Sequence, residues 1–212
     1  MLRFCCFPLL ILKNMGYNSI NLMNKIIPIE VSARHIHLSR KDLEALFGDG
    51  YQLKKIKDLT QPGDFAAEEA LDVSSNGKEI ENIRIVGPAR KETQIELSMT
   101  DALHLGLKPE VRISGSIDGT QGIDIIGPKG GIKIQKGVIV AKRHIHCNLK
   151  EAKELGLKNK EIVSVKTEGE RGLVFDNVEI RVDDKYKLVM HLDTDEGNAS
   201  GINKKSKGLL IK

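Results

Sequence analysis

Four of the chain's six histidines fall into two copies of one tetrapeptide, Arg34-His35-Ile36-His37 and Arg143-His144-Ile145-His146. In an extended strand the side chains of residues i and i+2 share a face. His35 and His37 therefore project together, as do His144 and His146, with Ile36 and Ile145 turned the other way. Two imidazoles on one strand face can ligate a single metal ion. A pair of surface histidines is the bland alternative, and the duplication argues against it. His191 ends the run Lys187-Leu-Val-Met-His and can complete a site with His144 and His146. Three neutral imidazoles leave coordination positions open for water or substrate, the mark of a catalytic metal site. For the first pair a carboxylate is expected as third ligand. Glu96, which alternates with Gln94 in the strand after Arg90, is one candidate among many. Nitrogen and carboxylate donors suit zinc, with other first-row divalent ions open. Arg90 follows a Gly-Pro turn six residues before Glu96. A guanidinium there can hold an oxyanion in bidentate fashion beside the metal; a solvated loop arginine is the alternative. His104 has no partner pattern and reads as a surface residue.

These residues need elements that hold them. Both copies run a β-branched strand into the His pair, then a polar cap, then a helix. The first strand spans Ile26 to Ala33 and leads into His35 and His37. Ser39 caps the first helix with Asp42 three residues on, Leu43, Leu46 and Phe47 share its face, and Gly48 and Gly50 end it. Asn148 and Glu151 play the same parts in the second copy, which ends at Gly156. A third cousin, Gln94 to Lys108, is again strand, cap and helix, ending at Gly106. Leu-Gly-Leu-Lys at 105–108 recurs at 155–158, each time before a valine-rich strand. The repeating unit is thus strand, short helix, strand. Residues 59–73 hold a Pro-Gly turn and then a short strand or helical turn. Two further strands end in matching Gly-Pro loops, Ile85 to Arg90 and Ile125 to Gly130. The last third is mostly strands, Leu173–Val182 and Leu188–His191 among them.

Composition agrees with a strand-rich chain of two related units. At 212 residues, with 4% aromatics and no Trp, the core must be Ile, Leu and Val, and 20 glycines suit tight turns. The formal net charge is +4, but Arg3, Lys13 and Lys25 lie in a leader without acidic residues, so the rest carries 4 − 3 = +1. That balance gives no reason to invoke nucleic acid. Residues 1–25 contain an apolar run, Phe4 to Leu12, too short to span a bilayer, and read as a disordered or spurious extension. A targeting peptide is the minority reading, and a chain starting at Met23 should suffice. No amphipathic membrane helix follows. The three cysteines, Cys5, Cys6 and Cys147, form no framework and point to a reducing compartment. Cys147 would face away from the ligand side and reads as a packing residue. There is no Walker loop, no Gly-x-Gly-x-x-Gly after a strand and no Gly-x-Ser-x-Gly elbow.

Several segments together resemble one family. Val-Ser-Ala-Arg-His-Ile-His-Leu-Ser, Pro-Gly-Asp-Phe-Ala-Ala-Glu, Gly-Pro-Ala-Arg-Lys-Glu-Thr-Gln-Ile-Glu-Leu-Ser, Lys-Arg-His-Ile-His-Cys and Asp-Glu-Gly-Asn-Ala look like the phosphate propanoyltransferases, over about residues 26–202. The resemblance implies a mainly β fold with short α-helices: two pseudosymmetric β-barrel domains capped by short helices. The units would be about 26–115 and 116–212, with exchange of strands between them left open. It implies two zinc ions per chain, one on His35, His37 and Glu96, the other on His144, His146 and His191. It implies phosphate on Arg90, as the catalytic residue, and coenzyme A along Val31, Ser32, Ala33, Arg84 and Asn198. A lysine is expected at the position of Gly77, and here Lys78 stands one place on. The implied reaction is reversible transfer of an acyl group, propanoyl or acetyl, between CoA and phosphate. A metal-dependent thioester hydrolase and a non-catalytic metal- or CoA-binding barrel are the rival readings. No nucleic acid or membrane partner is expected, and association as a homodimer stays open. The leader lacks the amphipathic helix that sends some members into bacterial microcompartments, so a cytoplasmic location is at least as well supported.

Overall fold

The computed structural model describes residues 25–108 and 110–212. The leader and its reading as a spurious or targeting segment, Lys25 apart, lie outside the described residues, as does the proposed start at Met23. Among the described residues fourteen strands and four short helices follow one another. The first stretch comprises β1 (Ile26–Val31), β2 (His35–His37), α1 (Arg40–Phe47), β3 (Lys55–Asp58), β4 (Phe65–Ser75), β5 (Lys78–Gly87) and β6 (Gln94–Leu97). Next come α2 (Met99–His104), β7 (Val111–Arg112), β8 (Gln121–Gly127), β9 (Gly130–Ala141), β10 (His144–Cys147) and α3 (Leu149–Leu155). The chain finishes with β11 (Ile162–Thr167), β12 (Val174–Val182), β13 (Val189–Leu192), α4 (Thr194–Ser200) and β14 (Lys207–Ile211).

The strands close into two six-stranded barrels, as the mainly β expectation required. One runs β1-β13-β10-β12-β11-β14 and returns to β1. The other runs β4-β5-β2-β6-β9-β8 and returns to β4, with β3 and β7 hydrogen-bonded outside the ring to β4 and β9. The two are built alike. Strand β2 lies parallel to β5 and antiparallel to β6, and β10 lies parallel to β12 and antiparallel to β13. The sequence predicts one strand through Ile26–Ala33 into the first His pair. The structure divides it: β1 pairs in the second barrel, and after Ser32-Ala33-Arg34 the chain enters the first. The second copy does the reverse, since β9 belongs to the first barrel and β10 to the second. The equivocal segment after Pro62-Gly63 is strand throughout β4, whose burial alternates as a half-buried ladder requires.

Each barrel has its own apolar filling. Ile36, Val73, Ile85 and Ile95 centre the first, Ile29, Ile145, Val165 and Ile180 the second. Branched aliphatics suffice here because a six-stranded ring is narrow and its inward positions alternate along every strand. Leu43 and Leu46 of α1 and Ala102 of α2 plug the first barrel, and Ala152 of α3 the second. Full burial of such a leucine stabilises by roughly 1.5–3 kcal/mol. The helices start where capping residues dictate. Ser39, Ser98, Asn148 and Asp193 each accept from the backbone N–H three residues on, at Asp42, Asp101, Glu151 and Glu196. At Asn148 and Asp193 the reciprocal acceptor completes a capping box. Among the described residues, no helix is long and apolar enough to cross a membrane.

Candidate metal centre and the cleft around it

Every helix cap stands two residues after a predicted metal ligand: His37 before Ser39, Glu96 before Ser98, His146 before Asn148, His191 before Asp193. A capped helix thus pins the end of each ligand-bearing strand. The ladder register supplies the rest. His35 lies opposite Glu96 across the antiparallel β2–β6 pair, and His144 lies opposite His191 across β10–β13. Directly opposed residues share a face, with Cβ atoms about 4.5–5.5 Å apart. The third ligand therefore falls at the equivalent position of each barrel, a carboxylate in one and an imidazole in the other.

The result is two groups, His35–His37–Glu96 and His144–His146–His191, whose donor atoms lie within 4.8 Å of one another in each. In the first, the Nε2 atoms of His35 and His37 are 3.1 Å apart and Glu96 Oε2 lies 3.7 Å from His35 Nε2. Backbone carbonyls take the opposite ring nitrogens: Ala33 O from His35 Nδ1 at 2.8 Å and Val86 O from His37 Nδ1 at 3.0 Å. The second group repeats this with Lys142 O on His144 Nδ1 at 2.8 Å. Such bonds place the ring proton on Nδ1 and leave the lone pair of Nε2 for a metal ion. Burial, helped by His35 and Arg90, pushes His37 down to about 3. Burial also lowers His144, and with the neighbouring imidazoles it brings His146 to about 2 and His191 to about 3. These rings are neutral at pH 7 and offer lone pairs. Burial alone would raise the Glu96 carboxyl, but His35, His37 and the Ser114 hydroxyl outweigh it and hold it at about 2. Both ring nitrogens of His146 are buried with no hydrogen-bond partner. Leaving a buried polar atom unpaired costs roughly 1–3 kcal/mol, so this ring calls for a partner that is not a protein group. The two donor sets fit a metal ion each.

Both groups open on one cleft of about 1170 Å³ between the barrels. Arg90 lies on its wall. Its backbone N–H donates to Leu38 O at 2.8 Å, and its guanidinium donates to Ser114 Oγ at 3.3 Å. Gln94, buried beside Glu96, donates to Glu96 Oε1 at 2.7 Å and to the same Ser114 Oγ at 2.8 Å. A short polar chain thus joins the carboxylate of the first donor group to the arginine. Burial depresses the Arg90 guanidinium, while Asp64 and Glu96 support its charge. The matching loop after Ile125 does something else, forming the tight β8–β9 hairpin outside the cleft.

Of the residues implied for CoA, Val31, Ser32, Ala33 and Arg84 line the cleft. Arg84 is steadied by Ala67 O and Glu68 O at 3.1 and 2.6 Å. Lys78 and Asn198 do not line it: Lys78 starts β5 at the β4–β5 hairpin and Asn198 lies exposed on α4. The lysines that do are Lys57, Lys142 and Lys204. Sequence reasoning also passed over Asp64, Ser114, Arg181 and Tyr186, all on the cleft wall. None belongs to a repeated motif. Asp64 carried a signal, standing in the Pro-Gly-Asp segment, but no spacing tied it to the histidines. Cys147 is buried in the second core, its thiol pushed up to about 11 by burial and then Glu151, as a packing residue should be.

The family model for phosphate propanoyltransferase matches residues 28–203. Relatives bearing that name are similar over most of both chains. The Thermotoga maritima protein is 53% identical over 178 residues, 84% of this chain and 85% of its own. Those of Lachnoclostridium phytofermentans and Clostridioides difficile are 50% and 46% identical, covering 83% and 88% of this chain and 83% and 89% of theirs. The double barrel with its paired donor groups is accordingly that of an acyltransferase. The chain belongs to the phosphate propanoyltransferase family.

Proposed function

We propose that this chain is a zinc-dependent phosphotransacylase, acting reversibly on propanoyl-CoA or acetyl-CoA. Acyl-CoA and hydrogen phosphate give acyl phosphate and free CoA thiol: a phosphate oxygen bonds to the carbonyl carbon, the carbon–sulfur bond breaks, and the phosphate proton ends on sulfur. The observation that carries this reading is the convergence of two three-donor groups and Arg90 on one cleft, in a chain of this family. Three-nitrogen and two-nitrogen-plus-carboxylate sets suit zinc and leave open positions, so we assign one ion to each group. Zinc held by these residues would supply Lewis acidity for the thioester chemistry. Arg90 holds phosphate by its charged fork, with Ser114 fixing the approach of the guanidinium. Glu96 stays ionised and is held in place by Gln94. Val31, Ser32, Ala33 and Arg84 supply the wall along which CoA lies, whereas Lys78 and Asn198 stand outside it. Placing two reactants in one cleft converts a bimolecular encounter into an oriented one. No acyl-enzyme is required, and buried Cys147 offers no nucleophile. That reduced thiol suits the cytoplasm or a microcompartment lumen supplied from it.

The test is release of CoA from propanoyl-CoA by purified protein with and without phosphate. Phosphate-dependent release with formation of acyl phosphate is expected. Release without phosphate would make the chain a thioester hydrolase, and no release at all would make it a binding module.

A further inference from the structure

Arg181 is a charged residue of the cleft to which neither the metal groups nor the Arg90 site gives a task. In the parallel β10–β12 pair it is the register partner of His146 and lines the cleft beside it. Its guanidinium carbon lies 5.9 Å from the centre of the Tyr186 ring, and that ring lies 4.1 Å from the His146 ring. The Arg181 guanidinium thus lies over the Tyr186 ring, which is itself tilted against His146 of the second donor group. Among the described residues no carboxylate pairs with it. Glu179 is taken by Lys142 at 2.8 Å, Glu196 by Arg143, and Glu30 lies against His191 at 3.8 Å. Arg90 lines the same cleft from the first barrel, so two guanidiniums share one space. Two like charges lining one space, one of them without a carboxylate partner, repel each other and make that space attractive to an anion.

We infer that Arg181 is a second phosphate-holding residue, so that the reacting phosphate is gripped by Arg90 from one barrel and Arg181 from the other. The inference rests on the phosphotransacylase reading above. A phosphate dianion has the charge for two guanidiniums and enough oxygens for two forked contacts. CoA brings phosphates of its own, but its thioester end must approach the donor groups. An anion beside His146 is for that reason the one that reacts.

The experiment compares wild type with Arg181→Gln, Arg181→Lys, Arg90→Ala and the double variant Arg90→Ala/Arg181→Gln. It measures phosphate binding by equilibrium dialysis of labelled phosphate, KM for phosphate and for propanoyl-CoA, and bound metal. Arg181→Gln should weaken phosphate binding about tenfold or more, the scale of one lost charge-assisted contact. Arg181→Lys should recover part of it, KM for propanoyl-CoA and metal content should hold, and the double loss should fall short of the product of the single ones. Unchanged phosphate binding overturns the inference. So does a rise in KM for propanoyl-CoA instead, which would assign Arg181 to the phosphates of CoA, or loss of metal, which would make it structural. Dialysis needs no turnover. If wild type releases CoA without phosphate, the phosphotransacylase reading fails while the fate of Arg181 is still read from binding.

Discussion

At the scale of single residues, His146 is the clearest signal, because a desolvated imidazole with neither nitrogen bonded to the protein is costly until something else binds it. Purified protein should hold about two zinc ions per chain, and His35→Ala and His144→Ala should each lose about one by atomic emission. Equal loss of both ions from either variant would mean a single coupled site, and full activity without metal would sink the mechanism. Arg90 is a different case, since it ligates nothing. Arg90→Ala should lower turnover per unit phosphate by about 10²-fold or more, as hydrogen bonds to charged groups contribute roughly 1.5–3 kcal/mol each. Arg90→Lys should restore only part, because an ammonium keeps the charge and loses the fork. Metal content and KM for propanoyl-CoA should not move in either variant. If phosphate kinetics survive the change to alanine, the phosphate site lies elsewhere. The histidines were legible because a spacing of two on a strand announces a shared face. Arg181 and Ser114 were not, because their neighbours in space are far away in sequence.

At the scale of elements, local chemistry was easy to read and pairing was not. Caps and helix ends matched, from Ser39 to the left-handed Gly156, because each is a bargain struck within a few residues. The break between β1 and β2 was missed, since Ile26 to His37 alternates and branches like one strand, and only the ladder partners say where it divides. The Gly-Pro loop before Arg90 is also tighter than its sequence reveals. A Cβ on Gly87 would stand 2.3 Å from Phe65 Cζ, on a ring that packs against the first core. Gly87→Ala should therefore push Phe65 aside at a cost of about 1–3 kcal/mol, lowering the melting temperature by about 2–4 °C per kcal/mol. Calorimetry and phosphate kinetics should report it together, with KM for phosphate rising as the loop shifts. A normal melting point would mean that the ring yields freely.

On the scale of the whole molecule, the barrels are joined at two places, Ser32–Arg34 and Lys142–Arg143, and the first barrel is the contiguous run 35–141 set into the second. Two truncations separate the leader from the fold. A chain starting at Met23 should fold and work as the full chain does. One starting at Ser32 removes β1, the strand that closes the second barrel between β13 and β14, and should lose the second donor group as judged by metal content and circular dichroism. If both behave alike, β1 is dispensable. The double crossing also bears on how substrates arrive. Each crossing lends a carbonyl, Ala33 O or Lys142 O, to the first histidine of its pair. Swinging the barrels apart like jaws would drag both carbonyls off their imidazoles. Two short straps in place of one hinge should therefore hold the cleft open, with ligands entering it without a jaw-like closure. X-ray scattering curves recorded with and without CoA and phosphate should superimpose, and a contraction on binding would show that the straps stretch after all.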